Sequence, residues 1–104
     1  MFERFKVDFP VRYFCKELNK EGKGKLIDIS AGGGGLILTL DELSKSFHLE
    51  IWVELPDNRD PLYLTGTVIW SKQIESHLFR TGIQFDHFDF MSISRILRII
   101  KSPH

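Results

Sequence analysis

The sequence predicts a mainly β fold: a small antiparallel six-stranded β-barrel followed by a C-terminal α-helix. Three observations point there. Short apolar segments alternate with polar residues at a period of two through most of the chain, as strands with one buried face do. Short, turn-rich connections separate them, which favours antiparallel pairing over the long crossovers of parallel sheets. Only near the end does the period change, where Ile93, Ile96, Leu97 and Ile100 fall on one helical face.

Taken in order, Val7, Phe9, Val11 and Tyr13 alternate with Asp8, Pro10, Arg12 and Phe14 as a first strand. Pro10 has no ladder donor, so this strand is expected at an edge or with a bulge. Asn19 to Lys25 reads as a turn by composition. Leu26 to Ser30 and Leu36 to Leu40 are the next two strands, with a glycine run as the bend between them. Leu49 to Leu55 alternates as a fourth strand, and Pro56 to Pro61 is a loop. Leu62 to Trp70 and Leu78 to Phe85 complete the set, connected through Gln73 to His77. The helix carries Arg95, Arg98 and Lys101 opposite its apolar face, with Ser92 or Asp89 as cap and Pro103 as stop. It is expected to pack on an opening or a side of the barrel.

At 104 residues the chain is expected to be one domain, 1–104. Its hydrophobic content of 42% places it among folded chains. Formal net charge is zero, which argues against an overall attraction to nucleic acid or an anionic membrane. A barrel that binds single-stranded nucleic acid would also use aromatics, but these aromatics alternate toward the core, so neither DNA nor RNA is expected as a partner. Cys15 is the only cysteine; that excludes an internal disulfide and suits a reducing cytoplasm. It reads as a half-buried strand residue rather than a nucleophile. No apolar run approaches the ~18 residues of a membrane span, and the N-terminus lacks a signal-peptide pattern. A cytoplasmic protein without membrane insertion is expected.

Metal and catalytic chemistry find little support. His48, His77, His87 and His104 lack zinc-site spacing, and Asp86 to Asp89 reads as a solvated turn. There is no Gly-x-Ser-x-Gly, no His-Glu-x-x-His and no phosphate loop. The glycine run leads into an apolar strand, so it has no helix N-terminus for a phosphate. The chain reads as a binding protein, not an enzyme.

The unusual stretch is Asp28-Ile29-Ser30-Ala31-Gly32-Gly33-Gly34-Gly35. Four glycines cost backbone entropy, and they suit positive φ or the close approach of another group. In an extended segment Asp28 and Ser30 point the same way. A carboxylate there can accept a pair of hydrogen bonds from the N1–H and exocyclic amine of a guanine, with a hydroxyl beside it. A flexible hairpin with a surface Asp and Ser is the plainer alternative.

Arg4-Phe5-Lys6-Val7-Asp8-Phe9-Pro10-Val11-Arg12-Tyr13 precedes this motif; Gly66-Thr67-Val68-Ile69-Trp70 and Thr81-Gly82-Ile83-Gln84-Phe85 follow it. In that order, with Asp28-x-Ser30-x-x-Gly33 between, the chain resembles a PilZ domain from Arg4 to the terminal helix. The resemblance implies a β-barrel that binds the bacterial second messenger cyclic di-GMP and needs no cofactor beyond that ligand. It implies Arg4 on a phosphate or base face, Asp28 and Ser30 on a guanine edge, Gly33 at a close main-chain approach, and Trp70 near the ligand. By area alone, Trp70 is expected to pack into the core at a strand end, and Arg4 to be a mobile terminal charge.

The family's Arg-x-x-x-Arg pattern puts Arg4 in its second position, and the first falls one residue before Met1. Either that Arg is absent or the start is late. Loss of one charge-assisted contact is expected to cost ~2–4 kcal/mol of ligand affinity. In the family this Arg loop folds over the ligand, which implies an order–disorder switch of Met1 to Lys6 that exposes or hides a partner surface. The implied function is a cyclic di-GMP receptor or effector that passes the signal to a protein partner in motility, pilus, biofilm or other signalling. The alternative is a degenerate adaptor that binds cyclic di-GMP weakly or not at all.

Overall fold

The computed structural model describes residues 3–101. Met1 and Phe2 of the expected switch, the Pro103 stop and His104 lie outside the described residues. The elements are β1 (Arg4–Cys15), β2 (Lys20–Ser30), β3 (Gly34–Thr39), β4 (His48–Val53), β5 (Leu62–Glu75), β6 (Leu78–Phe85) and α1 (Phe90–Ile100). The strands form a closed barrel in the order β1-β2-β3-β6-β5-β4. Every pairing is antiparallel, including β4 back onto β1.

The period-two residues face inward as expected. Val11, Tyr13, Leu26, Ile37, Ile51, Val68 and Ile83 are buried in one cluster. Cys15 joins them, fully rather than half buried. Pro10 accepts a hydrogen bond from the Glu54 amide at 2.9 Å, so its nitrogen faces β4 as well. Pairing with β4 starts only at Val11, and a register shift lies between Lys6 and Phe9. The missing donor therefore falls where the ladder has not yet begun.

Two strands run past their expected ends. Residues Lys20 to Lys25, read as turn, are the first half of β2. Its glycines serve packing: a Cβ on Gly22 would sit 2.3 Å from the Tyr13 ring, and one on Gly24 would sit 2.3 Å from the Leu38 carbonyl oxygen. Cross-strand clearance, invisible to composition, explains them. Likewise β5 continues to Glu75, leaving Ser76 and His77 as the connection, with His77 at φ 63°.

The β3–β4 connection closes one end of the barrel, with Leu43 fully buried. There the Tyr13 hydroxyl donates to Asp41, whose other oxygen takes Lys20 Nζ at 2.6 Å. Burial and the Asp41 carboxylate push the Tyr13 phenol well above its ordinary range. The other end is covered by α1. Ile93, Ile96 and Leu97 line one small apolar cavity with Phe5, Ile29, Ala31 and Phe88, and Ile96 is buried. Asp89 caps the helix by accepting from the Ser92 amide at 2.9 Å. Among the described residues no helix is long and apolar enough to cross a membrane.

Candidate functional site

Strand register places Asp28 and Trp70 on the outer wall near the helix-covered end, with Arg4 beside Asp28, while Ser30 and Gly33 are buried at the turn that follows β2. Lys6, Asp28, Leu36, Gly82 and Trp70 form one cross-strand row over β1, β2, β3, β6 and β5. Two bulges aim this row outward. On β2 the register shifts between Leu26 and Asp28, so Leu26 and Ile29 both enter the core while Asp28 stays outside. On β5 it shifts between Val68 and Trp70; the extra residue, Ile69, reverses the alternation after buried Val68. A bulge re-aims side chains in this way.

Trp70 therefore does not pack into the core, contrary to the expectation from its area. It is 43% exposed, and its indole lies on Gly82, where a Cβ would come within 2.3 Å of Nε1 and 2.4 Å of Cε2. One face rests on the glycine backbone and the other is open. Arg4 is not a loose terminal charge either. It starts β1 opposite Ser30; its Nε donates to Asp28 Oδ1 at 2.9 Å, and Nη2 lies 2.8 Å from the same oxygen as an ion pair. The Asp28 side chain is 15% exposed, and among the described residues Oδ2 accepts no hydrogen bond.

Ser30 is buried, and its Oγ accepts from the Gly32 amide at 3.1 Å. The Gly33 amide donates to the Ser30 carbonyl at 2.9 Å, closing the turn. Gly33 has φ +98°, which L side chains rarely adopt. Its carbonyl accepts from the Phe85 amide at 2.8 Å and from Gln84 Nε2 at 3.2 Å. The turn is thereby tied to β6. Gly35 clears the Phe85 ring, 2.7 Å from an added Cβ. Gly34 differs, because a Cβ there would meet nothing nearer than 3.9 Å. Packing does not require a glycine at 34, a half-buried residue paired with Gln84 of β6.

The sequence reading did not single out Gly82 as part of this surface; Gly34 entered it only within the glycine run. For Gly82 the signal was present: a glycine inside a strand pattern marks close approach by another group. What approaches, Trp70, is set by cross-strand register. The assembled wall offers an acceptor carboxylate, a guanidinium and an aromatic plate. Such a surface suits a planar, hydrogen-bonding, anionic ligand.

A family model of the PilZ domain matches residues 1–102. The chain belongs to the PilZ family. Among solved structures, the PilZ domain with c-di-GMP of YcgR from Escherichia coli superposes with a TM-score of 0.73 at 16% identity, covering 97% of this chain and 88% of that one. The Bacillus subtilis inhibitor of motility MotI/DgrA gives a TM-score of 0.69 at 17% identity, covering 97% of this chain. This chain spans 49% of that second protein. At these identities the likeness is one of fold. No curated protein is a significant match to the chain. Within this PilZ domain, Asp28, Ser30 and Gly33 of the motif occupy one strand end and its turn, with Arg4 beside them across the β1–β2 ladder.

Proposed function

We propose that this PilZ domain is a cyclic di-GMP receptor that passes the second-messenger signal to a protein partner, without catalysis. The observation that carries the reading is the outward row of Asp28, Leu36, Gly82 and Trp70, with Arg4 held at Asp28. Asp28 accepts from the guanine edge, with Ser30 and the glycine turn beside it. The open face of Trp70 stacks on a base, and Arg4 turns from Asp28 to a phosphate. The bound YcgR domain and the motility inhibitor among the structural relatives support this ligand and a motility-type partner.

The switch expected of Met1 to Lys6 falls, in its described part, on residues that the structure pairs with β2. Arg4, Phe5 and Lys6 are already strand residues, paired with Ser30, Ile29 and Asp28. Signalling through them would be an exchange of Arg4 partners rather than a coil-to-strand change.

A calorimetric titration with cyclic di-GMP, run beside Asp28→Ala, tests the proposal. Micromolar or tighter binding is expected for the wild type, with loss in the variant and little change in thermal stability. Equal affinity in Asp28→Ala would remove Asp28 from the site. Absence of heat with the wild type would favour the adaptor reading. One observation speaks for that alternative: Arg4 already occupies Asp28 Oδ1, so a guanine must compete with an internal ion pair.

A further inference from the structure

One step along the barrel wall from the Asp28–Trp70 row lies a second outward row: Lys25, Leu38, Arg80 and Lys72. Two residues along a strand separate the rows, about 7 Å. Arg80 and Lys72 are exposed and directly opposite each other across β5 and β6. Like charges in that relation destabilise an antiparallel pair. Among the described residues neither makes an ion pair. Lys25 differs, being neutralised by Asp8 at 3.1 Å. The nearest acid along these strands, Glu75, faces Leu78 at the hairpin tip, on the side of the pair away from Trp70. The whole chain is formally neutral, so cations left opposed on the wall beside Trp70 are not a by-product of a basic composition.

We infer that Arg80 and Lys72 belong to the ligand site, as the contact for the phosphate remote from Arg4. This rests on the cyclic di-GMP reading above. A cyclic dinucleotide carries two phosphodiesters on opposite sides of its ring. Arg4 stands at the Asp28 end of the surface, while the Arg80–Lys72 pair stands beside Trp70 and Gly82, at the other end. An anion placed between the two side chains converts a repulsive pair into two charge-assisted contacts. The pair thus makes the site selective for a doubly charged cyclic dinucleotide over a guanine nucleoside.

The test is titration with cyclic di-GMP of the wild type, Arg80→Ala, Lys72→Ala, the double variant, Asp28→Ala and Lys45→Ala, at two salt concentrations. Each single substitution is expected to weaken binding about tenfold and the double about 50-fold, with a shallower salt dependence. Lys45→Ala, on the β3–β4 connection, should stay within twofold. Thermal unfolding midpoints of the Arg80 and Lys72 variants should equal or exceed that of the wild type, since a repulsion is relieved. A double variant within twofold of the wild type, while Asp28→Ala abolishes binding, overturns the extension and leaves the receptor reading standing. A wild type that does not bind, or an Asp28→Ala variant that binds as well as it, overturns both.

Discussion

Gly82 and Gly24 both sit inside strands, yet they answer to different neighbours. A Cβ on Gly82 would meet the Trp70 indole, while one on Gly24 would meet the Leu38 backbone oxygen. A half-exposed side chain can swing away; a ladder carbonyl cannot move without its strand. Gly82→Ala is therefore expected to cost less than about 1 kcal/mol. It should shift Trp70 fluorescence, read in a Trp52→Phe background, and weaken ligand stacking. Gly24→Ala should cost about 2 kcal/mol or more through forced backbone displacement. Urea unfolding of the two variants measures the contrast, and equal costs would refute the assignment of Gly82 as the seat of the indole.

The helix is an element held from outside as well as from below. Arg95 Nε and Nη2 grip Asp57 at 2.7 and 2.9 Å, pinning α1 to the β4–β5 loop. Hydrogen bonding from Arg95 holds the Asp57 carboxyl down from its ordinary 3.8 to about 2. Because the folded pKa lies below the unfolded one, the stabilisation is present above about pH 4 and is lost as pH falls toward 2. Unfolding midpoints of the wild type and Asp57→Asn, followed from pH 7 to pH 2, should therefore be separated at neutral pH and converge in acid. A gap that persists at pH 2 would mean that the ion pair is not its source.

At the scale of the whole molecule, β4 closes onto β1 over Val11 to Cys15, which shields that stretch of both strands from edge-to-edge pairing. The ends are then the vulnerable places. One is sealed by Leu43 and the other by Ile96, both buried. Since Ile96 completes the same core as Val11, Ile29 and Ile83, helix and barrel are expected to unfold together. Ile96→Ala should cost about 2–5 kcal/mol, with circular dichroism and tryptophan fluorescence still following one coincident transition. Separate transitions would show that α1 is an appendage.

Strand count and the terminal helix were legible in the chain alone, and the motif order pointed, through the PilZ resemblance, to Asp28, Ser30 and Arg4 together. These depend on local period and on the order of short motifs, which one-dimensional text preserves. The direction of Trp70 was not legible, because a single bulge at Ile69 reverses the alternation and only pairing with β6 reveals it. The strand character of Lys20 to Lys25 was hidden for a related reason. Its glycines look like turn residues until the Tyr13 ring and the Leu38 carbonyl are placed beside them. Nor could the sequence show that Arg80 opposes Lys72, or that a Cβ at Gly34 would meet nothing nearer than 3.9 Å. By itself the sequence determined which faces are apolar and which residue types the site contains. Only the closed barrel decided which of them share a wall, because register joins residues far apart in the chain and each bulge resets it.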